Sequence, residues 1–128
     1  ACEGYATGLS IRMATERRWP VFVALDAGNL LPVLRILRGL YPTSPLVVAA
    51  DDDWKTKDHL GRPDNVGRRK ANEAAKEVQG CLVAYPAFGP TRQREHTDYN
   101  DLHALEGLPT VRRQLLRVIE HARVAVEV

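Results

Sequence analysis

Leu46-Val47-Val48-Ala49-Ala50 runs directly into Asp51-Asp52-Asp53. A short, continuous apolar run has the composition of a strand buried on both faces, the kind found in parallel sheets. Adjacent carboxylates repel by up to ~4 kcal/mol per close pair in a protein-like dielectric, so the acidic ending needs a reason. Three are open: a solvated turn, the capping of a following helix, or a bound cation. If the strand continues, Asp51 and Asp53 project to the same side. Two hard oxygen ligands on one side suit Mg²⁺.

The flanking chain repeats this pattern. Val21-Phe22-Val23-Ala24-Leu25 ends in Asp26, and Cys81-Leu82-Val83-Ala84-Tyr85 leads through a Pro- and Gly-containing loop, 86–97, to Asp98 and Asp101. Glu3 stands just before a helical pattern over 4–15, with Ala6, Leu9, Ile11 and Met13 as its apolar positions. A second helix is expected over 30–40, from Leu30, Val33, Leu34 and Leu37, with Pro32 tolerable only in its first turn. Asn65 can cap a third over 66–79, stopped by Gly80, and Pro109 opens a fourth over 109–122. The tail from Val124 to Val128 fits either a strand or a frayed end, and Trp54 to Asp64 reads as a polar, mobile segment. Strands alternating with helices imply an α/β fold with a parallel sheet between helices. Ligands of such sheets bind beyond the carboxyl ends of the strands, where the acids of this chain would converge.

A length of 128 residues suits one domain with a genuine core. The chain carries 18 Lys+Arg against 16 Asp+Glu, so net charge argues neither for nor against nucleic acid. Cys2 and Cys81 lack metal-type spacing and read as reduced core thiols of a cytoplasmic protein. No segment is apolar enough to cross a membrane, and no signal peptide is visible. The chain begins almost at Glu3, and residues 1–128 are read as one domain of a longer protein with most of its first strand missing.

Several residues keep two readings. Asp26-Ala27-Gly28-Asn29 is good turn chemistry, with Gly28 at positive φ, or else Gly28 lets the backbone approach a phosphate. Lys55 and Lys57 either neutralise the acids, contact phosphate, or are solvated. Arg68, Arg69 and Lys70 form a solvated helix face or a grip on nucleic acid, near helix amides that favour anions. The four histidines show no zinc-like pairing.

Five stretches taken in order resemble the Toprim domain: Glu3-Gly4-Tyr5-Ala6-Thr7, Ala24-Leu25-Asp26-Ala27-Gly28-Asn29-Leu30, Ala49-Ala50-Asp51-Asp52-Asp53, Asn65-Val66-Gly67 with Lys70-Ala71, and Asp98-Tyr99-Asn100-Asp101-Leu102-His103. The resemblance covers roughly residues 1–107 and lies nearest to primases of plasmids and phages, including conjugative-transfer primases and primase-helicase fusions. It implies a Rossmann-like Toprim fold of about four mainly parallel strands sandwiched between helices. By position, Glu3 matches the family's acid/base or metal-site residue, Asp51 and Asp53 its Mg²⁺ ligands (Mn²⁺ being an alternative), Asp52 a variable middle, and Asp98 its later acid. The implied function is the nucleotidyl-transfer core of a DNA primase, making RNA primers from ribonucleoside triphosphates on single-stranded DNA, alongside a helicase or other replication proteins. The family also includes nucleases of the overcoming-lysogenisation-defect type and non-catalytic, RecR-like binding domains. A receiver-like domain would place its acidic pair after the first strand instead. The Trp54 to Asp64 segment is longer than the link the family places there.

Overall fold

In the computed structural model, which describes residues 1–127, the apolar run at the centre of the sequence is strand β1, Leu46–Ala49. It pairs in parallel with β2, Cys81–Ala84, in a register that sets Leu46 against Cys81 and Ala49 against Ala84. On its other side Ala49 bridges Cys2, which in turn bridges Val23, both in parallel. Across the sheet the order is therefore Val23, Cys2, β1, β2, and the three expected apolar runs and the segment at Cys2 all run the same way. Among the described residues only β1 and β2 form a continuous ladder. The other two segments meet at single bridges because extended backbone is short there. Helix α1, Tyr5–Ala14, begins three residues after Cys2, and Leu25 turns to φ +70° two residues after Val23.

Successive residues of these segments face opposite sides, as the pleat requires. Leu46, Val48 and Ala50 pack with Leu30, Leu34 and Leu37 of α2, Leu30–Leu40, and with Ala71 and Ala74 of α3, Val66–Lys76. Cys2, Ala49 and Ala84 pack instead with α1, with Tyr99 and Leu102 of α4, Tyr99–Glu106, and with Val111 and Leu115 of α5, Leu108–Glu127. Helices thus cover both faces, and β1 is buried between them. Each fully buried aliphatic side chain contributes about 1.5–3 kcal/mol, so the three leucines of α2 easily outweigh the poor propensity of Pro32 in its first turn.

Several expectations change. The acidic stretch after β2 opens a helix of its own, α4, because Asp98 and Asp101 form a reciprocal capping box. The last helix continues through Glu127, so residues 124–127 are helical rather than strand, while Val128 lies outside the described residues. The segment from Trp54 to Asp64 is a hydrogen-bonded turn structure, not a loose loop. Lys57 bridges Pro63, and the Asp58 carboxylate accepts from the amides of Leu60 and Arg62 at 2.8 and 2.9 Å. Gly28 does not carry the positive φ expected of it; Leu25 does. Asp26 caps a single 3-10 turn, Ala27–Asn29, by accepting from the Gly28 amide at 2.5 Å. Both cysteines are free, and burial pushes each thiol up to about 11, so they are unreactive packing groups. No helix among the described residues is long and apolar enough to cross a membrane.

Candidate functional site

The chain leaves β1 through three carboxylates that meet three different fates. Asp51 is partly buried, and its Oδ1 is sealed from solvent with no hydrogen-bond partner. Burial first, then the charges of Glu3, Asp98, Asp53 and Asp101, push its carboxyl up to about 7. Those four acids therefore surround it closely enough to be felt. Glu3, raised by burial and by Asp53 and Asp26, and Asp98, raised by burial, belong to the same electrostatic group. The convergence expected at the carboxyl end of the sheet is present.

Asp53 is turned toward the start of α3. Its Oδ2 accepts from the Gly67 amide at 2.7 Å, while its own amide donates to Asn65 Oδ1 at 2.8 Å. This is the favourable placing of an anion at a helix N-terminus. The approach depends on Gly67, since a Cβ there would lie 2.5 Å from the carbonyl oxygen of Asp51. Asp98 Oδ1 is likewise engaged, accepting from the Asp101 amide at 2.8 Å.

Asp52, expected to be the indifferent middle residue, is the most buried of the three at 3% exposure. Arg68 Nε meets its Oδ1 at 2.7 Å, Arg92 meets its Oδ2 at 3.0 Å, and Asn65 Nδ2 donates to Oδ1 at 2.6 Å. Arg92 also donates to the Asp52 and His96 carbonyls and lies between the rings of Trp54 and Phe88, 4.3 and 4.4 Å from their centroids. Arg68 lies 4.1 Å over the ring of Tyr85. A single carboxylate thus joins the end of β1, the start of α3 and the loop after β2.

The basic residues divide in consequence. Arg68 is paired with Asp52, and Arg69 with Asp64 and Glu73. Lys70 lies close enough to Glu3 to lower its pKa, and Lys55 lies 4.5 Å over the Trp54 ring. Gly28 is committed to the Asp26 turn. Sequence reading missed Arg92 and the role of Asp52. The available signal was local and weak, an arginine four residues after Phe88 in the loop 86–97, and its target lies 40 residues away. His103 turns out to hold helices together: Ser10 of α1 contacts its Nδ1 at 3.0 Å and Asn100 Oδ1 at 3.2 Å.

Among the described residues, no three His, Cys, Asp or Glu side chains close on a point as a complete metal cage. The donors present nevertheless fit a divalent ion of the Mg²⁺ kind. Mg²⁺ keeps several waters and needs only one or two carboxylates plus substrate phosphates. The buried carboxylate oxygen of Asp51, without a hydrogen-bond partner and ringed by other acids, is a hard donor of the kind such an ion takes.

A parallel sheet covered by helices on both faces, with acids gathered at its carboxyl end, defines the class, and the chain belongs to the Toprim domain family, whose profile matches residues 1–108. It is similar to two Escherichia coli proteins described as DNA primase TraC. One is 40% identical over 88 residues, covering 69% of this chain, and the other 36% identical over 103 residues, covering 80% of it. The matched stretches make up only 8% and 7% of those relatives. No solved structure matches the chain significantly.

Proposed function

We propose that this Toprim domain is the Mg²⁺-dependent nucleotidyl-transfer core of a DNA primase, joining ribonucleoside triphosphates into primers on single-stranded DNA. The observation that carries the reading is the buried, unpartnered Oδ1 of Asp51 among Glu3, Asp53 and Asp98 at the carboxyl end of the sheet. The similarity to DNA primase TraC supports primase over the other chemistries of the family.

Asp51 would hold the ion, with Asp53 and Glu3 beside it and Asp98 adding negative charge. Bound there, a divalent ion supplies charge stabilisation at the attacking 3′-oxygen and the leaving pyrophosphate. Glu3, half-buried with its carboxyl raised, is suited to receive the proton of the 3′-hydroxyl at its carboxylate. Asp52, Asn65, Arg68 and Arg92 do no chemistry in this reading. They fix the backbone on either side of Asp51 so that its carboxylate need not reorganise during reaction.

The full-length protein should make RNA primers from ribonucleoside triphosphates and Mg²⁺ on single-stranded DNA. Mg²⁺-dependent cleavage of DNA without primer synthesis would replace this reading with a nuclease. Neither activity, with DNA or protein binding retained, would make it a non-catalytic binding domain.

A further inference from the structure

Beside the acidic cluster, the turn structure after Asp53 and the loop before Asp98 enclose an open cleft of about 450 Å³, lined by Lys55, Lys57 and Arg94 together with Asp53, Glu95 and Thr97. This is within the range that holds a small ligand, about 300–1,000 Å³. Among the described residues none of the three cations forms an ion pair, in contrast to Arg62, Arg68, Arg69 and Arg92 close by. All three line one cleft, which they share with Asp53 of the acidic group.

Both walls are held in place. On one side Lys57 bridges Pro63, the Thr56 amide donates to the Asp53 carbonyl at 3.0 Å, and the Asp64 amide donates to Thr56 at 2.9 Å. On the other, the Gln93 amide donates to His96 Nδ1 at 2.8 Å. Arg92 ties the two together, contacting the Trp54 ring on one wall and the Asp52 carboxylate at the base. The backbone that carries the three cations is therefore ordered before anything binds.

We propose that this cleft binds the polyphosphate tail of a nucleoside triphosphate, with Lys55, Lys57 and Arg94 as the phosphate contacts; the proposal rests on the nucleotidyl-transfer reading. Asp53 lines the cleft and also belongs to the acidic group, so the two sites are continuous. A short polyanion can extend from the acids, which would hold the cation that neutralises its reacting phosphate, into the cleft. A polynucleotide backbone laid along the same path would place further phosphates against Asp53, Glu3 and Asp98.

The test is calorimetric titration of the full-length protein with ATP in Mg²⁺, and with inorganic tripolyphosphate. Lys55→Ala/Lys57→Ala/Arg94→Ala should weaken both by at least about tenfold, since charge-assisted hydrogen bonds to phosphate are the strong ones. Affinity for single-stranded DNA should stay within about twofold, because these contacts are not made to the nucleic-acid backbone. The charge-keeping Lys55→Arg/Lys57→Arg variant should retain ATP binding, which separates lost charge from a disturbed fold. Unchanged ATP affinity in the triple variant overturns the proposal. So does absence of ATP and tripolyphosphate binding by the unmodified protein, or a loss confined to DNA affinity. Triphosphate binding without primer synthesis would instead sink the primase reading and leave the cleft standing.

Discussion

Asp51 and Asp52 are neighbours in the chain and opposites in construction. Asp51 has an unpartnered buried oxygen, other acids around it and a carboxyl pushed up to about 7. Asp52 is more buried, yet every hydrogen-bonding need is met by Arg68, Arg92 and Asn65. The two regions around them share a strand end and divide the work. One gathers carboxylates with no cationic partner at the end of β1. The other spends paired charge on holding β1, α3 and the following loop in register. A site of the first kind costs stability, and a network of the second kind makes that cost tolerable.

The sharpest way to break this contrast is to neutralise each residue in turn. Asp51→Asn should lower primer synthesis by the full-length protein at least about a thousandfold while leaving the fold intact, as expected for loss of an electrostatic stabiliser. A correctly folded variant with near-normal synthesis would show that Asp51 is dispensable. Asp52→Ala should do the reverse in kind, lowering unfolding free energy by about 3 kcal/mol or more, because breaking a buried pair strands the remaining charges. Denaturant unfolding reads this directly, and a change below about 1 kcal/mol would mean the network is not what holds the site.

Gly67→Ala tests the contact between the regions. Its Cβ would sit 2.5 Å from the Asp51 carbonyl oxygen, so α3 must retreat, at a cost of about 1–3 kcal/mol. The Gly67 amide would then leave Asp53 Oδ2, and amide shifts at residues 51–53 should move with it.

The pH dependence follows from the raised carboxyl. In the folded state Asp51 binds a proton up to about pH 7, against an unfolded value near 3.8. Between these pH values the folded state holds more protons than the unfolded one. Its contribution to stability is therefore fully present below the unfolded value and is lost as pH rises toward 7. With a chelator present, the melting midpoint should fall over that range, Glu3 and Asp98 acting in the same direction. Asp51→Asn should flatten the decline; an unaltered slope would place the titration elsewhere. The smallest effect belongs to Arg69→Ala. Its partners Asp64 and Glu73 are solvent-facing, so no resolvable change in melting midpoint is expected.

Much of the architecture was legible because it rests on local pattern. The apolar run at 46–50 reads as a doubly buried strand since both its faces are apolar, and it is one. Asn65 reads as a cap and accepts from the Arg68 amide at 3.2 Å. Helix α4 was missed although its signal is local too. Asp98 and Asp101 stand three apart, the spacing of a capping box, and the same two residues also read as a chemical motif.

The sequence by itself determined the parallel α/β class, the order of the segments and the end of the sheet at which the acids gather. Strand composition and helix periodicity encode these, and chain connectivity does the rest. Only the tertiary structure decided which carboxylate stays unpaired. That choice depends on Arg92 arriving from a loop 40 residues away, on Arg68 turning inward, and on a helix start brought within contact of Asp51 by a missing Cβ at Gly67. Pairing of charges is settled by distances of a few ångströms between segments remote in sequence, and no local pattern specifies those distances.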